Sequence, residues 1–286
     1  MHSPYPVMVS VCCITYNHEN YITQALESFL MQETNFEVEI LVGEDCSTDN
    51  TKAIIAEYAQ RYPGKIQLIA HQPNKGAVRN QIDVMSRAKG KYIAMCDGDD
   101  FWIDPFKLQK QVDFLESHED GVICCTYSRV IDENDQVVYE HPEPRSLEFD
   151  YPAMLMGLRE ETRICSLMVR NIQKVMDIKK QQWYYHTHGS DTLFKLYAAF
   201  QTNHKVYVLP EVMSCYRLHA GGVWSMIDSR LRKSRMISDF NLMIRNFSYS
   251  AVMKRKLFKM YLQRYLLFDL RYLNIQQALT TIRTLL

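Results

Sequence analysis

From residue 7 to residue 127, short apolar runs rich in Val and Ile alternate with stretches patterned for helix, and nothing else in the chain restricts its fold so strongly. Strands are expected at residues 7–15, 38–43, 66–70, 92–96 and 121–127. Helices are expected between them, at 21–31, 51–61, about 77–88 and 105–117. Such alternation builds βαβ units, which lay strands parallel and put helices on both faces of one sheet. A sheet of this kind binds its ligand in the crevice at the carboxyl ends of its strands.

The unusual polar residues gather at those ends. The first strand runs into Thr15-Tyr16-Asn17, and the second into Glu44-Asp45-Cys46-Ser47-Thr48-Asp49. The third is followed by Asn74-Lys75-Gly76-Ala77-Val78-Arg79-Asn80, and the fourth by Asp97-Gly98-Asp99-Asp100. Three carboxylates within four residues repel one another unless a cation lies between them. Gly98 is expected to permit a tight turn that brings two of them together. Oxygen ligands suit Mg2+ or Mn2+, which keep positions open for phosphate oxygens. Asp104, directly before Pro105, reads as a helix N-cap, and Ser47 or Asp49 as the cap of the second helix. Asp45, at a strand tip, is expected to be free to accept a hydrogen bond from a nucleobase. Gly76 and Arg79, taken singly, read equally as a loop end and as an exposed helix residue.

Taken together, residues 9–17, 44–49, 74–80 and 97–100, in that order and spacing, resemble the family 2 glycosyltransferases with the GT-A fold. The resemblance covers about residues 7–225 and implies a Rossmann-like, mostly parallel mixed sheet flanked by helices. It also implies a nucleotide-sugar donor, usually a UDP-sugar, and a divalent cation, Mn2+ or Mg2+. By the same resemblance Thr15, Tyr16, Asn17, Glu44, Asp45, Asn74, Gly76, Arg79, Asp97 and Gly98 would surround the nucleotide. Asp99 would bind the metal that bridges the diphosphate. One departure is Cys46, where the family usually has glycine.

Two later segments extend the likeness. His188-Gly189-Ser190-Asp191 precedes a helix at the position of the family's catalytic carboxylate, with Ser190 in a slot often filled by an acidic residue. By its residues alone Asp191 reads equally as an N-cap; the resemblance implies a catalytic base. Residues 216–225, Tyr-Arg-Leu-His-Ala-Gly-Gly-Val-Trp-Ser, look like a signature of bacterial surface-polysaccharide members. In that group His219 would be a further metal ligand and Arg217 a diphosphate neighbour. Gly221 and Gly222 would form a loop closing over the donor, with Trp224 packing beside it. The implied reaction inverts the anomeric centre by direct displacement, Asp191 taking the proton of a hydroxyl on a saccharide or lipid-linked saccharide.

Rival readings are weaker. A dehydrogenase would show G-x-G-x-x-G, and a nucleotidyltransferase a glycine-rich basic loop where Thr15-Tyr16-Asn17-His18-Glu19 stands. A non-catalytic nucleotide-sugar-binding relative is compatible with Ser190 but sits badly with intact Asp97, Asp99, Asp191 and His219.

The rest of the body is less regular. A hairpin is expected over 129–140, strands at 163–170, 205–209 and 212–217, and a helix at 190–200. From residue 227 on, two or three helices are expected, and there the charge changes. The last 60 residues hold 12 Lys/Arg against 3 Asp/Glu, leaving 21 against 30 in the first 226. This divides the chain into a catalytic domain at 1–226, with a nucleotide half to about 127 and an acceptor half over 128–226, and a basic extension at 227–286. Basic amphipathic helices can lie on an anionic membrane or pack on a second copy in a homo-oligomer, and the sequence favours neither. The overall balance of 33 against 33 gives no reason to expect nucleic acid. Eight cysteines without a C-x-x-C pair read as reduced core thiols. With no leader-like start and no run of about 18 apolar residues, the expected location is cytoplasmic, or peripheral on the inner face of the membrane.

Overall fold

The computed structural model describes residues 6–157, 160–222 and 227–286. Trp224, assigned above to the donor loop, lies outside the described residues. The first half follows the expected alternation: β1 (Val9–Thr15), α1 (Ile22–Leu30), β2 (Val38–Glu44), α2 (Thr51–Arg61), β3 (Ile66–Ala70), α3 (Ala77–Arg87) and β4 (Tyr92–Met95). Then come β5 (Phe101–Trp102), α4 (Lys107–Ser117), β6 (Gly121–Ile131), β7 (Val137–Tyr139), β8 (Leu147–Phe149) and α5 (Tyr151–Leu155). The remainder is β9 (Met168–Arg170), α6 (Gln173–Met176), α7 (Ser190–Thr202), β10 (Lys205–Arg217), α8 (Ser229–Asn246), α9 (Ala251–Arg264), α10 (Leu266–Arg271) and α11 (Ile275–Leu285).

The strands form one mixed sheet in the order β3-β2-β1-β4-β9-β6-β10-β5, with β7 on β6 and β8 on β10. Strands β1 to β4 pair in parallel, as do β6 and β10. The short β9 is inserted antiparallel between β4 and β6, and β5 lies antiparallel on β10. Parallel tips on both sides of this insertion therefore point to one rim, which assembles the site.

Several boundaries differ from the pattern. The two strands expected between 205 and 217 are one, because a register shift between Leu209 and Val212 absorbs Pro210 as a bulge. Only the last three residues of the strand expected at 163–170 are extended, since Ile164–Ser166 forms a 3-10 turn. Helix α4 starts at Lys107 and not at Pro105: the Asp104 carboxylate accepts the Phe106 N–H at 2.7 Å and closes a turn just before the helix. The extension holds four helices.

Alternation along β1 sorts its side chains onto two faces. Val9, Val11 and Cys13 join one apolar cluster with Leu26 and Phe29 of α1, Ile55 of α2 and Leu108 of α4. Cys12 faces the other, with Met85 of α3 and Phe194 of α7. Ile237 and Phe240 of α8, Leu257 and Tyr261 of α9 and Leu285 of α11 belong to that second cluster, so the extension shares a core with the sheet. Each fully buried Leu, Ile or Phe contributes about 1.5–3 kcal/mol, which makes this a tight attachment. The eight cysteines are free, as expected, and all but Cys46 are buried.

Candidate active site

The site begins where β1, β2 and β3 end. Asn17 follows β1 in a left-handed conformation, φ 55°, which asparagine tolerates. Its side-chain oxygen accepts the Thr48 N–H at 2.8 Å, and its own N–H donates to the Ser47 hydroxyl at 3.0 Å. Asp45 is nearly inaccessible, and its two oxygens accept the Lys75 and Gly76 N–H groups at 2.7 and 2.8 Å. The Asn74 amide returns a bond to the Asp45 carbonyl at 2.8 Å. Asp45 is thus not free at the strand tip: it ties β2 to the loop before α3. Gly76 fits that loop because its φ is 82°. The N-cap of α2 is Asn50 and not Ser47 or Asp49, although Asp49, one residue earlier, accepts the Thr51 N–H at 2.9 Å.

Glu44 is fully buried. One of its oxygens takes the Ser47 N–H, while the other, like the buried hydroxyl of Thr15, has no partner among the described residues. Cys46 adopts φ 64°, a conformation costing a non-glycine residue about 1–2 kcal/mol, which accounts for glycine at this place in the family pattern. Tyr16 and Arg79 are exposed; the Arg79 guanidinium lies 5.0 Å over the Tyr185 ring.

The acidic turn after β4 is held from the far side of the sheet. Gly98 is required for space and not for a left-handed turn, since a Cβ there would stand 2.8 Å from the Thr15 side chain. Asp100 is buried and accepts the Arg217 N–H at 2.8 Å. The Arg217 guanidinium donates to the Asp99 carbonyl at 3.0 Å, to Gln24 at 2.6 Å and to Asp135, and it lies 4.9 Å over the Tyr21 ring. Arg217 is 3% exposed. Its donors are spent on fixing the acidic turn to the end of β10.

Just past β10, the His219 Nε2 atom lies 3.0 Å from Asp99 Oδ2. The same oxygen is 3.7 Å from Nε2 of His18, which follows Asn17. One ligand atom from each of His18, Asp99 and His219 falls within 4.8 Å of the others. His18 was missing from the sequence-derived set. Its signal was a polar, non-periodic position directly after the first strand, but only folding brings it to Asp99. Gly221 and Gly222 continue from this point: the Gly222 N–H closes a turn on the His219 carbonyl at 3.0 Å.

Electrostatics divide the three acids. Burial raises Asp97 well above the carboxylate range, helped by the charges of Asp99 and then Asp191. Burial and the Asp99 charge likewise raise Asp100. Burial acts against ionisation of Asp99 too, but His18 and the hydrogen bond with His219 outweigh it and hold its pKa below normal. Burial lowers His18 despite the attraction of Asp99, favouring the neutral imidazole that ligates metals. Asp99, between two imidazoles, is thus the most readily ionised acid of the turn.

Asp191 lies in the first turn of α7 and is not its N-cap, a position taken by Gly189. Its Oδ2 atom is 3.2 Å from Nζ of Lys195, which is buried and also bonds to Thr162. Its charge acts on Asp97, the weakest of the three influences that raise that carboxyl.

A family model described as glycosyl transferase family 2 matches residues 10–172. The chain belongs to glycosyl transferase family 2. An uncharacterized protein of Mycobacterium tuberculosis is 37% identical over 229 residues, 79% of this chain and 63% of the relative. EpsE of Bacillus subtilis, named as a glycosyltransferase, is 36% identical over 140 residues, 48% of this chain and 50% of its own length. The chain spans less than two thirds of both relatives. Staphylococcus aureus TarS 1-349 in complex with UDP-GlcNAc superposes with a TM-score of 0.67 at 20% identity, covering 88% of this chain and 70% of that one. The mannosyltransferase PcManGT of Pyrobaculum calidifontis, in complex with GDP-Man and Mn2+, gives 0.65 at 16%, covering 99% and 77%. At these identities the likeness is one of fold, and it bears out the GT-A architecture expected from the sequence.

Proposed function

We propose that this family 2 member is a metal-dependent, inverting glycosyltransferase that moves a sugar from a nucleoside diphosphate donor to the hydroxyl of a saccharide or lipid-linked saccharide. The observation that carries the reading is the convergence of His18, Asp99 and His219, from three separate strand ends, on one point. Two imidazoles and a carboxylate suit a first-row dication such as Mn2+ better than Mg2+, which favours oxygen ligands. His18, Asp99 and His219 would hold that cation, which when bound would offset charge on the leaving diphosphate. Arg217 and Asp100 keep Asp99 in place, and Asp45 with Asn17 fixes the loops around the nucleotide. Asp191, steadied by Lys195, takes the acceptor proton. With Asp191 as the single carboxylate assigned to the acceptor, the reading is one displacement and not a covalent glycosyl intermediate.

A UDP-sugar is the proposed donor, supported by the sequence resemblance and by the UDP-GlcNAc complex of TarS. Surface-polysaccharide synthesis is the proposed setting, supported by the resemblance of residues 216–225 and by likeness to TuaG of Bacillus subtilis, named for teichuronic acid biosynthesis. Incubation with UDP-glucose, UDP-N-acetylglucosamine, UDP-galactose or GDP-mannose should give Mn2+-dependent release of nucleoside diphosphate from a UDP-sugar. No release from any of them, with or without a saccharide acceptor, would contradict the reading.

No helix among the described residues is long and apolar enough to cross a membrane. One face of α9 nevertheless exposes Val252, Arg255, Lys256, Lys259 and Leu262 together. Of the extension's three acids, Asp269 is buried and Asp239 is engaged in hydrogen bonds, so its outer surface is strongly basic. A second copy presenting the same face would be repelled, whereas anionic lipid would be attracted. We therefore propose peripheral binding at an anionic membrane surface. Sedimentation with phosphatidylglycerol vesicles, weakened by salt, is the expected result; equal recovery with neutral vesicles would oppose it.

A further inference from the structure

We infer that Asp239, on the first helix of the extension, is a positioning residue that holds the segment leading into Asp191; this rests on the assignment of Asp191 as the base. A helix begins with N–H groups that lack partners inside the helix, and α7 has no side-chain cap of its own. Its cap residue is Gly189, which has no side chain to offer. Asp239 reaches across from α8 instead. One of its oxygens accepts the His188 N–H at 2.9 Å and the other the Gly189 N–H at 2.6 Å. The His188 ring nitrogen Nδ1 lies 3.3 Å from the same carboxylate.

Two bonds from one planar carboxylate fix both the distance and the tilt of the 187–188 and 188–189 peptide planes, in the approach to Ser190 and Asp191. The approach is close: a Cβ on Gly189 would stand 3.2 Å from Asp239 Oδ2, so a side chain there would press the carboxylate away. Asp239 is mostly covered, and its bonds compete little with water. Phe247, which follows α8, meets Trp183 and Phe200 edge to face, with ring centres 5.3 and 5.6 Å apart, and holds this helix against the segment it braces. Asp191 is thus gripped twice, by Lys195 one turn along α7 and by Asp239 through the peptides before it. The extension therefore completes the acceptor side of the site without contacting the reacting atoms, and displacement of a base by about 1 Å is enough to slow a reaction roughly a hundredfold.

The test compares full-length Asp239→Ala and Asp239→Asn with the wild type in Mn2+-dependent UDP release from the preferred UDP-sugar. Asp239→Ala should lower kcat by about ten- to a hundredfold, with donor KM and Mn2+-dependent UDP affinity within about twofold of wild type. Asn keeps one acceptor oxygen, so its kcat should fall between the two, at near-wild-type thermal stability; this variant decides the matter should the alanine form fold poorly. Unchanged kcat in the asparagine variant, or a loss of kcat matched by an equal loss of UDP affinity, would overturn the inference. Asp191→Asn, assayed alongside, separates the two claims. If its turnover is normal, the base assignment falls and the inference with it; if it is inactive while both Asp239 variants turn over normally, the inference alone falls.

Discussion

Replacing Asp191 with Asn should reduce sugar transfer by about a hundred- to ten-thousandfold, the usual contribution of a positioned general base, while Mn2+-dependent binding of UDP stays intact. The two readouts separate because the structure separates the groups. Asp191 contacts Lys195 on α7, whereas the proposed cation ligands lie at the tips of β1, β4 and β10. Asparagine has almost the same shape and can still accept from Lys195, so folding should survive. What it lacks is the basicity to take a proton from an acceptor hydroxyl. Steady-state turnover and calorimetric titration with UDP, made on the same preparation, give both numbers. Turnover within about twofold of wild type would remove Asp191 from the role.

The opposite pattern is expected of Asp99→Ala. This change leaves His18 and His219 facing each other without the anion that holds them, and takes away the charged ligand of the cluster. UDP affinity in Mn2+ should fall by at least about tenfold, toward the value measured in EDTA, because a hard divalent cation needs carboxylate oxygen. Turnover should fall with it. An affinity in Mn2+ equal to wild type would show that the cation, if bound, sits elsewhere.

The parts of this protein that could be read from its sequence are those set by local chemistry. Apolar runs broken by Asn17, by Glu44 and Asp45, and by Asp97 to Asp100 marked the strand tips, and the parallel arrangement placed them on one rim. The use made of each polar residue was not legible, because it depends on partners far along the chain. Asp45 bonds to residues 30 and 31 positions away, and Arg217 to Asp100 at a separation of 117. Asp45 was expected at the nucleotide and Arg217 at the diphosphate, and in this structure both side chains bond within the protein frame. His18 went unnoticed for the converse reason: a polar residue just after a strand is ordinary, and it gains meaning only where Asp99 and His219 arrive. Likewise β9 was misjudged in length because a three-residue strand between two others has no room for a period.

The claim on which the rest stands is that His18, Asp99 and His219 share one cation. Pulsed electron paramagnetic resonance of the protein with Mn2+ and UDP measures this directly, through the coupling of the metal electrons to ligand nitrogen. Two imidazole nitrogens should be seen in the wild type, one in His18→Ala and one in His219→Ala. A wild-type spectrum without nitrogen coupling, or one that neither substitution alters, would contradict the site proposed for this chain.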